Sequence, residues 1–156
     1  MAWLSIKVMI VIFDSYSENE TARIADRLAK NAQKGDVFAL VGDLGTGKTA
    51  FAKGCAKGLG IEEAVVSPTF TILQIYESGR IPLYHFDVYR IGDVSEMDEI
   101  GYEDCFYGEG VSLVEWADMV EPILPDDHIK ITISKDPAKG VDYRKITVED
   151  NEDNSN

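Results

Sequence analysis

Hydrophobic residues in this chain fall into short blocks whose spacing alternates between the period of strands and the period of helices. The first block, an apolar run from Trp3 to Phe13, is interrupted by Lys7 and is shorter than a bilayer span, which favours a β-strand over a membrane segment. Ser17 and Glu20 follow at capping-box spacing, and apolar residues then recur at helical intervals. The pattern predicts a first strand and an amphipathic helix that ends at Gly35.

A second strand and a second helix are predicted directly after these. Residues 36–42 form a nearly continuous apolar run, which is typical of a strand buried on both faces. From Thr49 to Leu59, apolar residues return to helical spacing with lysines on the other face, and Gly60 offers a stop. A glycine-rich turn joins the strand to the helix.

The remainder of the chain predicts two antiparallel hairpins with mixed structure between them. Strand-like segments flank Ser78 and Gly79, and Pro82 limits how central the second of them can be near its start. Residues 128–134 and 143–149 alternate strictly enough for a closing hairpin. Between the hairpins we expect short helices, a compact strand and a helix broken by proline, at residues 93–106, 110–116 and 117–124.

Composition narrows the class of protein. The chain has 156 residues, enough for one domain, which we place at residues 1–148, with a disordered acidic tail at 149–156. Its net charge of −13 repels nucleic-acid phosphates and anionic lipids, so independent binding to RNA or to a membrane is not expected. Cys55 and Cys105 lack metal-site spacing and are interpreted as reduced, half-buried cysteines of a cytoplasmic protein.

The strongest motif in the chain is a phosphate-binding loop. Residues 42–49 fit the pattern G-x-x-x-x-G-K-[ST] at every fixed position, with the sequence Gly42, Asp43, Leu44, Gly45, Thr46, Gly47, Lys48 and Thr49. Glycines let backbone N–H groups turn inward beside a helix N-terminus, where they suit phosphate oxygens. Lys48 would then reach the β- and γ-phosphates, and the Thr49 hydroxyl would ligate Mg²⁺. The alternative is a glycine-rich turn with no ligand.

A loop of this kind needs an acid on a neighbouring strand to hold Mg²⁺ or its waters. Asp87 and Glu115 both end apolar runs and would meet at the carboxyl ends of parallel strands. Asp87 could instead form a structural ion pair with Arg90, and Glu115 could be an exposed charge at the end of its strand. His85 is interpreted as a packed or hydrogen-bonded ring rather than a catalytic base.

Four segments in this order resemble the TsaE (YjeE) family: GDLGTGKT, SPTFT from Ser67 to Thr71, YHFDVYR from Tyr84 to Arg90, and LVEW from Leu113 to Trp116. The resemblance runs from about residue 17 to about residue 134. It implies an α/β, P-loop NTPase-like three-layer fold, with a mostly parallel central sheet extended by antiparallel strands. It also implies a small ATPase that supports threonylcarbamoyladenosine synthesis next to the tRNA anticodon.

The resemblance also implies partners and residue roles. TsaE-like proteins work with TsaB and TsaD, so tRNA would meet this chain only through those partners. The loop with Lys48 is assigned to the phosphates, Thr49 and Glu115 to the metal, and Asp87 to a catalytic or metal-organising role. Ala50 would also border the nucleotide. For the adenine we choose the helix start from Ser17 to Thr21, which is polar and near in sequence to the first strand.

Some interpretations stay open at this point. The segment from Ser67 to Thr71 suits a switch that senses the γ-phosphate, or equally a turn with a packed Phe70. Trp116 suits either a reporter of nucleotide state or a packing residue. Two other functions share the loop, a small-molecule kinase and an ATP-sensing module that does not hydrolyse ATP. The arginines are scattered, which disfavours the basic lid of a kinase.

Overall fold

Seven strands and four α-helices make up the part of the chain that the computed structural model describes, residues 6–43 and 45–153, with side chains described for 8–43 and 45–150. The strands are β1 (Ile6–Ser15), β2 (Val37–Val41), β3 (Leu73–Tyr76), β4 (Leu83–Asp87), β5 (Val111–Glu115), β6 (Ile129–Lys135) and β7 (Arg144–Asp153). The helices are α1 (Glu18–Lys30), α2 (Lys48–Gly58), α3 (Glu96–Glu99) and α4 (Tyr102–Phe106), with 3-10 helices at Ala117–Ile123 and Pro137–Lys139. Leu44, predicted to bind nucleotide, lies outside the described residues.

All seven strands form one sheet in the order β1-β7-β6-β2-β5-β4-β3. The strands β6, β2, β5 and β4 are parallel to one another, and antiparallel strands extend the sheet at both ends. The α/β architecture with a mostly parallel centre and the two antiparallel hairpins is thus confirmed. Because the central strands are parallel, their carboxyl ends meet at one edge of the sheet, which is where β2 leads into the glycine-rich loop.

Helices cover both faces of the central strands, which gives three layers. One core lies between the sheet and the helices α1 and α2, and it includes Phe38, Leu40 and Phe51. The second core lies on the other face, where Phe86 and Val114 pack against the short helices and their flanking residues. The central strands are therefore apolar on both faces, as the unbroken hydrophobic runs predicted. No helix of the described residues is long and apolar enough to cross a membrane.

Helix α1 begins as predicted and ends earlier. The Ser17 hydroxyl accepts a hydrogen bond from the backbone N–H of Glu20 at 3.1 Å, while the Glu20 carboxylate accepts one from the backbone N–H of Tyr16 at 2.6 Å. The helix stops at Lys30 rather than at Gly35. The Arg80 guanidinium donates to the carbonyls at the helix end, those of Ala29, Lys30 and Ala32, at 2.7, 3.2 and 2.8 Å. These bonds satisfy carbonyl oxygens that would otherwise accept hydrogen bonds from a further turn of the helix.

Two further expectations differ from the structure. The predicted boundary at residue 148 falls inside β7, which continues to Asp153 because its backbone pairs with β1 as far as Ile6. Main-chain hydrogen bonds do not depend on polarity, so an acidic sequence can complete a strand whose partner is apolar. The free cysteines Cys55 and Cys105 are buried rather than half-buried, since each faces a hydrophobic core.

Candidate active site

The glycine-rich loop adopts conformations that need its glycines. Gly45 and Gly47 have φ of 76° and 103°, in the left-handed region that side chains disfavour. Gly42 is required for a different reason. A Cβ at this position would lie 2.7 Å from the carbonyl oxygen of Ile133 and 2.8 Å from the Thr46 hydroxyl. The loop thus leads from β2 into α2 through a turn that needs glycine at these three positions.

Lys48 folds back over its own loop. Its ammonium donates to the carbonyl of Gly42 at 2.6 Å and to that of Asp43 at 3.3 Å, and it sits 3.5 Å from the centre of the Trp116 ring. Burial lowers the pKa of Lys48 from its ordinary value of 10.5, while the charges of Glu115 and Asp87 oppose that shift. A cation with these partners is stabilised by dipoles and a ring face rather than by a directly bonded anion.

The two predicted acids lie opposite each other. Asp87 ends β4 and Glu115 ends β5, and they are register partners in the parallel ladder. Both are buried, at 8% and 4% exposure, so the interpretation of Glu115 as an exposed charge is wrong. Glu115 makes a 2.8 Å hydrogen bond with the His85 ring, which is itself buried. The interpretation of His85 as a hydrogen-bonded ring is confirmed, and its partner Glu115 is one of the two acids of the site.

Asp87 is held in part by the segment from Ser67 to Thr71, for which a switch and a turn were equally open interpretations. Its carboxylate accepts hydrogen bonds from the Ser67 hydroxyl at 3.2 Å and from the backbone N–H of Tyr89 at 3.1 Å. No ion pair joins it to Arg90 among the described residues; the Arg90 guanidinium instead lies 4.9 Å from the centre of the Phe70 ring. Phe70 is 86% exposed, so the interpretation of this segment as a turn with a packed Phe70 is wrong.

Trp116 directly follows Glu115 and has a strained backbone. Its φ of 61° is left-handed, a conformation that costs free energy for a bulky residue. The ring contacts both the Lys48 ammonium and the Tyr89 ring, whose centre is 4.7 Å away. Trp116 is therefore in contact with the loop lysine, and its fluorescence is placed to respond to movement of that lysine.

An open cleft of about 830 Å³ brings most of these residues together. It is a size that suits a nucleotide. The predicted residues that line it are Thr21, Gly45, Thr46, Gly47, Lys48, Thr49, Ala50, Asp87 and Glu115. Two predicted loop residues do not, since Gly42 and Asp43 line a separate cavity of about 330 Å³ beside the loop. Thr21 reaches the cleft with its hydroxyl already bonded to that of Ser15 at 2.8 Å.

Several cleft residues were not predicted from sequence, and Arg144 is the most informative. Its guanidinium donates to the carbonyls of Thr46 and Gly45, at 3.0 and 3.2 Å, and so braces the loop from the first residue of β7. Lys53 and Arg90 also line the cleft, whose basic residues balance its acidic ones although the whole chain is acidic. Arg144 lies almost a hundred residues from the loop, and no short-range pattern could have joined them.

The donors at the cleft suit magnesium when a phosphate completes the site. Asp87 and Glu115 offer carboxylate oxygens and Thr49 a hydroxyl, which are hard ligands of the kind that Mg²⁺ takes. Within the described residues, no group of three or more His, Cys, Asp or Glu could hold a metal ion on its own. A site with two carboxylates needs water and substrate oxygens, as is usual for Mg²⁺ bound with a nucleotide.

Comparison with known proteins gives consistent matches. The sequence profile of the family described as "Threonylcarbamoyl adenosine biosynthesis protein TsaE" matches residues 15–146. The Bacillus subtilis protein named "tRNA threonylcarbamoyladenosine biosynthesis protein TsaE" is 51% identical over 128 residues, which cover 82% of this chain and 78% of that protein. The protein of the same name from Treponema pallidum is 43% identical over 119 residues, covering 76% and 87% of the two chains. The crystal structure of YdiB from Bacillus subtilis superposes with a TM-score of 0.80 at 42% identity, covering 94% and 88%.

Proposed function

Because this chain belongs to the TsaE family, and so takes part in tRNA threonylcarbamoyladenosine biosynthesis, we propose that it acts there as a magnesium-dependent ATPase. One observation carries the proposal: Asp87 and Glu115 lie opposite each other at the ends of parallel strands and share a cleft with Lys48. Two acids and a lysine beside a glycine-rich loop are the groups that phosphoryl transfer from a nucleotide needs.

The loop and Lys48 would bind the phosphates. The N-terminus of α2 directs backbone N–H groups and its positive dipole end into the cleft. Lys48 would exchange the carbonyls of Gly42 and Asp43 for oxygens of the β- and γ-phosphates, which carry full charges and attract an ammonium more strongly than a carbonyl dipole does. Arg144 would keep the loop in this shape by holding its other carbonyls.

The acids would hold the metal together with a hydroxyl of the loop. Thr49, Asp87 and Glu115 are the residues that we assign to Mg²⁺, which when bound neutralises the charge that develops on the transferred phosphoryl group. His85 fixes one oxygen of Glu115, and Ser67 with the N–H of Tyr89 fixes the carboxylate of Asp87. Fixed carboxylates act without reorganising during the reaction.

The first turn of α1 would border the adenine. Ser17, Glu18, Asn19 and Thr21 line the end of the cleft formed by this helix. Because the Thr21 hydroxyl is bonded to Ser15, the Asn19 side chain is better placed to recognise the base. Ala50 lines the cleft next to the loop and would pack against the nucleotide.

The partners of this ATPase would be proteins of the TsaB and TsaD kind. A net charge of −13 favours contact with proteins over direct contact with tRNA, so the partners would bind the RNA in the cytoplasm. We propose that hydrolysis is slow in the isolated chain and becomes productive in the complex, where an interface completes the catalytic arrangement.

The test is ATP hydrolysis by purified variants, with and without Mg²⁺. We expect Lys48→Ala to lose nucleotide binding, and Asp87→Asn or Glu115→Gln to retain binding while hydrolysis falls by about two orders of magnitude. Lys57→Ala and Glu121→Gln, which change exposed residues of the same types, serve as controls and should leave both unchanged. Normal turnover in either acid variant would refute the assignment of the acids.

A second measurement separates hydrolysis from sensing. Modification of tRNA by the partners should continue over many turnovers when this chain and ATP are both present, and stop after few turnovers without either. If a non-hydrolysable ATP analogue supported many turnovers equally well, the chain would be a sensing module and the proposed ATPase function would be wrong.

A further inference from the structure

Arg90 is a cation of the nucleotide cleft that has no polar partner. Among the residues that the structure describes, its side chain forms no hydrogen bond and no ion pair, and its guanidinium contacts the exposed Phe70 ring. A cation–π contact at an exposed site is weak, so the guanidinium can leave that ring at little cost. The Lys48 ammonium and the Arg144 guanidinium, by contrast, already donate to carbonyls of the loop.

The turn that carries Arg90 is anchored on both sides. The backbone N–H of Ile91 donates to the carbonyl of Val88 at 3.1 Å, and both of these side chains are buried. Tyr89 and Arg90 occupy the two central positions of the turn and are exposed, and the backbone N–H of Tyr89 donates to the Asp87 carboxylate. The backbone of Arg90 is therefore held next to the site while its side chain is free to move.

Arg90 stands next to the acids rather than on the loop. It follows Asp87 by three residues, and Asp87 is the register partner of Glu115, yet Arg90 pairs with neither carboxylate. Lys53, which also lines the cleft, lies within α2, a full helical turn beyond Thr49. An arginine beside two buried acids that binds neither of them is free to bind an anion that enters the cleft.

We propose that Arg90 is a catalytic residue, whose guanidinium leaves Phe70 and donates two hydrogen bonds to oxygens of the γ-phosphoryl group as ATP is hydrolysed. This inference rests on the proposed ATPase function. A guanidinium presents a planar pair of N–H donors with a full positive charge, which matches two oxygens of one phosphoryl group. Because negative charge shifts among the phosphate oxygens as the reaction proceeds, a cation at this point stabilises the transition state.

The role assigned to Arg90 involves no proton transfer. In hydrolysis a water oxygen bonds to the γ-phosphorus, and the bond from this phosphorus to the oxygen that bridges it to the β-phosphate breaks. The electron pair of that bond stays on ADP, one proton of the water stays on the inorganic phosphate, and the other goes to solvent. Arg90 remains protonated throughout, because a guanidinium does not give up its proton in proteins.

The first test is single-turnover hydrolysis of radiolabelled ATP with Mg²⁺ by the full chain. Arg90→Ala should slow hydrolysis by about a hundredfold or more, while affinity for ATP changes by less than about threefold. Arg90→Lys keeps the charge but loses the planar fork, so it should recover only a small part of the rate. Added guanidinium ion, below denaturing concentrations, should partly restore Arg90→Ala. Arg27→Ala, at an exposed arginine of α1, is the matched control and should behave as wild type.

The second test is binding of a mimic of the transition state, measured by calorimetry. Arg90→Ala should bind the complex of ADP with aluminium fluoride at least about tenfold more weakly than wild type, and should bind ADP alone as well as wild type does. Its melting temperature should equal that of wild type, because the side chain is exposed and contacts only an exposed ring.

The outcomes separate this inference from the function on which it rests. A wild-type chain that hydrolyses no ATP, alone or with its partners, would overturn both. An active wild type with normal hydrolysis in Arg90→Ala would overturn the role of Arg90 alone. Equal loss of affinity for ADP and for its aluminium fluoride complex would also overturn that role, since Arg90 would then bind phosphate without favouring the transition state. Normal hydrolysis by Arg90→Ala alone with loss of stimulation by the partners would make Arg90 a partner contact instead.

Discussion

Replacing Gly54 by alanine should destabilise the protein even though alanine is the better helix former. Gly54 lies in α2, where that helix crosses α1 closely. A Cβ at position 54 would lie 2.2 Å from the carbonyl oxygen of Ala22 and 2.8 Å from its Cα. These are backbone atoms, which cannot rotate away as a flexible side chain would. The substitution therefore sets helix propensity against packing.

The structure allows the size of the effect to be worked out. An ordinary contact needs about 3.4 Å, so the two helices would have to separate by roughly 1 Å. Overpacking of this kind costs about 1–3 kcal/mol, and alanine returns up to about 1 kcal/mol of helix propensity. With rigid backbone on the opposing side we expect a net loss of about 1–2 kcal/mol, which lowers the melting temperature by about 3–8 °C.

The assay is thermal and urea unfolding of Gly54→Ala without nucleotide. Lys57→Ala lies on the same helix, is exposed, and should change the free energy of unfolding by less than about 0.5 kcal/mol. Because both helices begin at the nucleotide cleft, affinity for ATP should fall in Gly54→Ala as well. A melting temperature equal to or above that of wild type would refute the reasoning, since it would mean that α1 and α2 can separate without cost.

Two further predictions concern the glycine-rich loop. Because burial lowers the pKa of Lys48 below its unfolded value of 10.5, the charged lysine costs folding free energy at neutral pH, and that cost disappears as the pH rises towards 10.5. Urea unfolding from about pH 7 upwards should show wild type gaining stability relative to Lys48→Met, and a difference that does not change with pH would contradict this. Arg144→Met should weaken ATP binding about tenfold, through the lost hydrogen bonds to two loop carbonyls, with little change in melting temperature. Titration of tryptophan fluorescence measures the affinity, Lys145→Met is the exposed control, and unchanged affinity in Arg144→Met would show that the loop holds its shape without the arginine.

Local patterns predicted the elements of the fold well, since most of them depend on neighbouring residues. The apolar run of β2 and the capping residues of α1 specify their structure over a few positions. The end of α1 was missed because Arg80, fifty residues away, caps it. The last residues of β7 were missed because their pairing with β1 uses the backbone, which leaves no trace in side-chain polarity.

The candidate site could be predicted only where the sheet topology alone determines which residues lie close together. Asp87 and Glu115 could be placed together because parallel strands bring their carboxyl ends to one edge. The hydrogen bond between His85 and Glu115 follows from the same ladder but needs the register, which sequence alone does not supply. The contact of Arg144 with the glycine-rich loop depends on where the closing hairpin lies relative to that loop, and the order of strands in the whole sheet sets this position.

The resting place of Lys48 has a consequence for exchange of nucleotide. Its ammonium already has acceptors at 2.6 and 3.3 Å within the loop. In the proposed ATPase, an arriving triphosphate would displace these acceptors, and a departing diphosphate would leave the lysine with partners to return to. Because the nucleotide-free loop is the same reference state for both nucleotides, this internal competition would lower the affinity of the proposed ATPase for ATP and for ADP by the same free energy. In the proposed ATPase, a loop that satisfies its own lysine would thereby favour release of spent nucleotide over tight storage of it.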